Sequence, residues 1–177
     1  MVTKKRIIIR PKNTSDAWDD YSWETDPELA ELDAAPVIRM PYTQYLLDYD
    51  VEVRRISPTS RQFSVDTLDG EHIGNCSYYN LDESKCEVEL GIMIGNRDYW
   101  NRGYGTETVI TLVNHIFGDL KVNRIHLKTL ESNRRAQKCF QKCGFIVCGQ
   151  LDKFAYQFLR MEIYRDQWHE QLTETEE

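Results

Sequence analysis

The sequence predicts a single mixed α/β domain built on a mostly antiparallel sheet, and three observations predict it. Two apolar runs, Gln62 to Leu68 and His72 to Tyr79, flank Asp69-Gly70, a dipeptide suited to a tight hairpin turn. The order strand, glycine-rich loop, helix, strand between Glu87 and Thr129 is a crossover unit, which makes its two strands parallel neighbours. Two further apolar runs, Phe145 to Leu151 and Phe158 to Tyr164, are joined by the short loop around Asp152 to Tyr156 and read as a closing antiparallel pair.

At 177 residues the chain suits one domain with a real core, and it carries no Gly/Pro/Ser-rich linker, internal repeat or low-complexity block. With 22 Lys and Arg against 29 Asp and Glu, the net charge of −7 argues against nucleic acid as a partner and favours cationic ones. No apolar run approaches the roughly 18 residues needed to cross a bilayer, and only Ile7-Ile8-Ile9 precedes Arg10. No signal peptide or membrane partner is therefore expected. The five cysteines are odd in number and form no Cys-x-x-Cys pair, which fits reduced thiols in a cytoplasm.

Taken in order, Lys5 to Arg10 is a strand on three isoleucines that Pro11 closes. Ser15 or Asp16 then caps a helix through Trp18 and Tyr21. Between Ser15 and Ala35 stand eight acids and no Lys or Arg, either a solvated helical face or an acidic lip that draws in an amine. Pro41 opens a second helix with Tyr42, Tyr45, Leu46 and Tyr49 on its apolar side. After the hairpin, Cys86 to Ile94 alternates as a third strand and runs into the glycines.

Val109, Leu112, Val113, Ile116 and Phe117 fall on one stripe of a helix over Thr106 to Phe117. Arg124 to Thr129 alternates as a strand, and Asn133 caps a helix that Gly144 ends, with Ala136, Cys139, Phe140 and Cys143 inward. A buried free thiol behaves as a small hydrophobe, so Cys139 and Cys143 read as core packing. His72, His115, His126 and His169 show no ligand spacing, and no metal is assigned. The acidic tail, 169–177, is expected to fray, leaving a single domain over 1–168.

The candidate site is Trp100-Asn101-Arg102-Gly103-Tyr104-Gly105-Thr106-Glu107. Gly103 and Gly105 sit where a loop becomes a helix, so the backbone can approach a bound group, and the first helical turn offers unpaired N–H donors at the positive end of the dipole. That combination suits a phosphate. A dinucleotide fingerprint fails at Thr108, and a P-loop fails for want of Gly-Lys-Ser/Thr.

This loop, with Asn133-Arg134-Arg135-Ala136 and Lys142-Cys143-Gly144-Phe145 after it, resembles the GCN5-related N-acetyltransferase (GNAT) superfamily. Glu89-Leu90-Gly91-Ile92 and the run from Tyr99 to Glu107 look most like the branch that acetylates N-terminal residues of ribosomal proteins, with its polyamine and aminoglycoside relatives. The resemblance is strong from about Gly70 to Phe145 and weak over the first 65 residues. It implies a sheet splayed between the strands ending at Ile94 and Thr129, helices on both faces, a substrate groove from 1–60 and an acetyl-CoA core over 61–165.

The resemblance also assigns roles. Ile92, Met93 and Ile94 would hold the acetyl carbonyl and the pantetheine arm. Trp100, Asn101, Arg102, Gly103, Tyr104, Gly105 and Thr106 would wrap the pyrophosphate, chiefly with amides. Asn133 would reach the cofactor arm, cap its helix, or both. Family members that use a glutamate five positions before the asparagine have it where this chain has Lys128, and the frequent tyrosine seven positions after is Phe140. Glu89, and after it Glu87, is then the choice for general base. Acetyl-CoA as cosubstrate and a protein N-terminal amine as acceptor follow, with direct attack in a ternary complex by a monomer or homodimer. A polyamine or aminoglycoside acceptor, or an acyl-CoA sensor without activity, are the alternatives.

Overall fold

A computed structural model of the chain describes residues 5–174. The elements, in chain order, are β1 (Ile7–Pro11), α1 (Ala17–Glu24), α2 (Pro27–Leu32), α3 (Tyr42–Val53), β2 (Arg61–Thr67), β3 (His72–Asp82), β4 (Glu87–Ile94), α4 (Tyr104–Asp119), β5 (Arg124–Leu130), α5 (Arg134–Lys142), β6 (Ile146–Lys153), β7 (Tyr156–Tyr164) and α6 (Arg165–Glu174). The strands form one seven-stranded sheet in the order β1-β2-β3-β4-β5-β7-β6. Every neighbouring pair is antiparallel except β4 and β5, which run parallel as the crossover unit requires.

That parallel pair is short. Glu87, Val88 and Glu89 face Arg124, Ile125 and His126, and there the pairing ends. Beyond it β4 remains paired with β3 as far as Ile94, while β5 remains paired with β7 as far as Leu130. Each half of the sheet therefore holds together while the two halves part between them. The expected splay lies here.

The core lies between α4 and one face of the sheet. Val109, Leu112, Val113 and Ile116 of α4 are buried with Val65, Ile73, Val88, Leu90, Ile125 and Ile163, because a stripe repeating at helical spacing meets strand residues that alternate inward. The opposite face of β4 is covered from the N-terminal side. Gly95 lies so close to Trp23 of α1 that a Cβ there would fall 2.1 Å from the indole, so the approach of helix to sheet depends on the missing side chain.

The acidic segment is resolved into three uses. Asp16 and Asp20 are neither a solvated face nor a lip, because both are buried and paired with the basic residues at the end of β1. Arg10 grips Asp16 with both terminal nitrogens, at 2.9 and 2.7 Å, and reaches Asp66 through Nε at 2.6 Å. Ser64 Oγ donates to Asp16 at 2.7 Å, and Lys12 pairs with Asp20, which also accepts from Tyr49 Oη and Asn75 Nδ2 at 2.6 Å each. This network pins α1 and α3 to the sheet. Asp26 and Glu28 pair with Arg97 beyond β4, and Glu24 and Asp33 border a cavity described below.

Three differences from the sequence reading have local causes. The first helix is preceded by a 3-10 turn, Thr14–Asp16, capped by Asn13 rather than by Ser15 or Asp16. The separate helix α2 was not expected, although Asp26 caps it through the amides of Glu28 and Leu29 and Pro27 occupies its first turn. The tail expected to fray from His169 is helical through Glu174 as part of α6, with Trp168 buried and its Nε1 donating to Asn114 Oδ1 at 2.8 Å. Residues 175–177 lie outside the described residues. Among the described residues no helix is long and apolar enough to cross a membrane.

Although burial raises the Asp16 carboxyl pKa, hydrogen bonds from Arg10, the Asn13 amide and Ser64 outweigh this and hold it well below the usual carboxylate range. A depressed carboxylate adds stability above the unfolded-state pKa and loses it as pH falls. Asp16→Asn should cost about 2 kcal/mol of unfolding free energy at neutral pH, measured by urea denaturation. The parent should lose stability below about pH 4, with the variant's acid limb flatter.

Candidate active site

Alternation along β4 sends Ile92 and Ile94 toward α4, whose Gly105 a Cβ would bring to 3.9 Å from both side chains. Gly91 and Met93 then face the N-terminal helices. The edge of β4 from Leu90 to Ile94 has no strand partner on the β5 side, so its backbone groups on that side are left for water or a ligand. Along this edge runs a groove of about 440 Å³, bordered by α2, β4, the glycine loop and α5.

The glycine loop is shaped for an anion. Gly103 has φ +85°, the left-handed region, and Asn101 beside it has φ +56°. Gly103 is also the N-cap of α4, which therefore starts without a side-chain acceptor, whereas Asn13, Asp26 and Asn133 cap their own elements through side chains. First-turn amides of a 16-residue helix thus open on the groove with their dipole end uncompensated from the cap. Trp100 Nε1 donates to Ile94 O at 2.6 Å and ties the loop to the end of β4, and the Arg135 guanidinium lies 3.3 Å from the centre of its ring.

Most of the expected cofactor residues meet in this groove. Ile92, Met93, Ile94, Trp100, Asn101, Gly103, Gly105, Thr106 and Asn133 line it. Arg102 and Tyr104 do not. Arg102 Nη1 donates to Asp98 O at 3.0 Å, and the guanidinium stands 5.8 Å from the Tyr99 and Tyr104 rings. Tyr104 packs edge-on against Tyr99 and beneath Arg6. Glu107 turns to β1, where it accepts from the Arg6 and Ile7 amides and from Arg6 Nε at 2.9 Å.

The positive charge of the groove comes instead from α5. Arg134, Arg135, Lys138 and Lys142 all line it, with Cys139 between them. Their spacing of three and four residues was readable as one helical face. Cys139 packs half-buried against the core as expected and also borders the groove, while Cys143 is buried. Asn133 Oδ1 accepts from the Ala136 amide at 3.1 Å, which leaves its Nδ2 able to donate, so cap and ligand contact are compatible.

Neither expected base lines the groove or the two cavities that flank it. Glu89 is buried, 4% exposed, and its carboxylate accepts from Lys128 Nζ at 2.9 Å, Asn80 Nδ2 at 3.0 Å and Tyr79 Oη at 3.2 Å. Burial alone would raise its pKa, but the Lys128 and Asn80 bonds prevail and hold it below the ordinary value. Glu87 sits in the zipped part of the β4–β5 pair, bound to Arg124 Nη1 at 2.6 Å while Arg124 Nε holds Glu162 at 2.7 Å. Both carboxylates are held in ion pairs. Lys128, which stands at the vacant family position, is the cation that balances Glu89.

Two further cavities flank the groove. One fills the gap between β4 and β5 and is bordered by Tyr79, Gly91, Lys128 and Phe158 among others. The other, about 530 Å³, lies between the sheet and the N-terminal helices, with Glu24, Asp33, Trp23 and Lys12 on its walls. The sequence reading did not single out Asp33, which is followed by a left-handed Ala34, φ +51°, at the end of α2.

The described fold agrees with known proteins. A family model described as the acetyltransferase (GNAT) domain matches residues 6–146. An uncharacterized N-acetyltransferase p20 of Bacillus licheniformis is 23% identical over 143 residues, 80% of this chain and 79% of the relative. A spermidine N-acetyltransferase from Vibrio cholerae, solved with CoA and spermine, superposes with a TM-score of 0.82 at 16% identity over 93% of this chain and 98% of that one. The aminoglycoside acetyltransferase AAC(6')-Ib, solved with coenzyme A, gives a TM-score of 0.76 at 21% identity over 93% and 98%. With an unpaired strand edge, an uncapped helix start and a family match over most of its length, the chain belongs to the GNAT acetyltransferase family.

Proposed function

We propose that this chain transfers the acetyl group of acetyl-CoA to a primary amine of a small polycationic molecule, by direct attack in a ternary complex. The observation that carries the acceptor class is the cavity on the N-terminal side of the sheet. Two carboxylates, Glu24 and Asp33, stand on its walls, and its one lysine, Lys12, is already paired with Asp20. Burial raises the pKa of Glu24, and a hydrogen bond from Tyr45 only partly offsets this. A cation entering beside such carboxylates relieves the penalty of their crowding. The spermidine and aminoglycoside enzymes that share the fold are named for small amines of this kind, which supports the small-molecule reading over a protein N-terminus.

The groove's residues fit the cosubstrate. The bound thioester supplies an acetyl group activated for attack by nitrogen. Amides at the start of α4 would hold the diphosphate, and Arg134, Arg135, Lys138 and Lys142 would answer the remaining phosphate charge. The free edge of β4 around Ile92 and Met93 would hydrogen-bond the pantetheine arm and supply a donor toward the carbonyl oxygen as charge develops there. Phe140 is buried and has no hydroxyl, so the sulfur would leave without a proton from that position.

Two measurements test this reading. With acetyl-CoA and an amine panel, spermidine, spermine and aminoglycosides should turn over faster than peptides with free N-termini; selective turnover of the peptides would overturn the acceptor class, and tight CoA binding without thiol release would favour a sensor. Gly103→Val should raise the KM for acetyl-CoA about 10-fold or more, because a branched side chain is strained at φ +85° and would crowd the phosphate amides. Its KM for the amine should stay unchanged, and kinetics equal to the parent's would remove the loop from the site.

A further inference from the structure

The three cavities meet at one place. Among the described residues, Asp33 and Ile92 are the two that line the cofactor groove, the β4–β5 gap and the acid-walled cavity together. Ile92 belongs to the free edge of β4, where the acyl group would lie. Asp33 approaches the same junction from the end of α2.

The other carboxylates around the acceptor cavity are engaged. Glu24 accepts from Tyr45 Oη at 3.0 Å, Asp20 from Lys12, Tyr49 and Asn75, and Glu89 from Lys128, Asn80 and Tyr79. Asp33 is exposed to solvent on one side and has no side-chain hydrogen bond or ion pair among the described residues.

We propose that Asp33 is a catalytic residue, whose carboxylate receives the proton shed by the acceptor nitrogen during attack on the thioester. The proposal rests on the acetyltransferase reading given above. The nitrogen lone pair forms the C–N bond to the acetyl carbon, and the C–S bond breaks with its electron pair leaving on sulfur. The N–H proton passes to Asp33 and then to solvent, while the thiolate takes a proton from solvent, so free CoA and a neutral amide result.

The groups facing Asp33 bear on its titration. Glu24 and Lys12 look across the acceptor cavity, and Tyr79 of β3, Lys128 of β5 and Lys153 of β6 border the strand gap. Cys139 and the four α5 cations Arg134, Arg135, Lys138 and Lys142 border the cofactor groove. No salt bridge joins any of these cations to Asp33, and crowding by protein pushes its carboxyl up to about 6. It is therefore ionised at neutral pH, ready to accept a proton, and loses that capacity as pH falls through this value.

The test uses the full chain, Asp33→Asn and Asp33→Glu. Carbon-detected NMR of the parent without ligand should show the Asp33 carboxyl titrating near 6, with that signal lost in D33N; titration near the ordinary value of about 4 would overturn the assignment. Log kcat/KM for the preferred amine should fall with unit slope below about pH 6 in the parent. D33N should lose that limb and about 100-fold in kcat, with calorimetric CoA affinity unchanged as proof of fold, and D33E should recover part of the rate. An active parent whose limb and rate D33N retains overturns the role of Asp33 alone. A parent that releases no thiol with any amine overturns the transferase reading and the Asp33 proposal with it.

Discussion

The structure depends on a parallel strand pair that stops after three residue pairs. Two interrupted strands inside a protein would ordinarily leave backbone groups without partners, each costing about 1–3 kcal/mol when buried. Here the ends of the two strands are closed by side chains. Trp100 Nε1 takes the Ile94 carbonyl, and Gln137 Nε2 takes the carbonyls of Leu130 and Glu131 at 2.9 and 2.8 Å. Between those closures the free edge of β4 faces a groove, where water or a ligand can complete its hydrogen bonds. The antiparallel partners β3 and β7 hold the halves apart without either half losing its own ladder.

Charge is sorted across this opening. The chain as a whole is acidic, yet four cations of α5 border the groove beside the start of α4, while Glu24 and Asp33 border the cavity on the other face. On the proposed reading, an anionic thioester and a cationic amine would each be favoured on its own side and would meet where Asp33 and Ile92 lie. The partly buried ion pairs of Arg10 with Asp16 and of Lys12 with Asp20 serve a different end. They fix the N-terminal helices, and with them α2, against the sheet.

The sheet and the glycine loop were legible because they obey local rules. Asp69-Gly70 marks a hairpin whose Gly70 has φ +85°, and Gly103 marks a left-handed turn into a helix whose apolar stripe is buried. What stayed hidden depends on contacts distant in sequence. Glu89 shares a strand face with Gly91 and Met93, as alternation requires, but its pairing with Lys128 spans a crossover and no pattern within β4 reveals it. The division of the acids between burial and cavity follows from where Arg10, Lys12 and Arg97 arrive, not from their own spacing. Asp33 looks like one acid of eight until the end of α2 places it at the junction. The α5 cations are themselves legible in the sequence, since Arg134, Lys138 and Lys142 recur every four residues on a helix that Asn133 caps.

The central claim is that the amides at the start of α4 and along the free edge of β4 grip the cosubstrate. Amide NMR during titration with CoA tests it most directly. The account predicts the largest shifts at Gly103, Tyr104, Gly105 and Thr106 and from Leu90 to Ile94. Shifts confined to surfaces remote from the groove, such as α3 or β6, would contradict it.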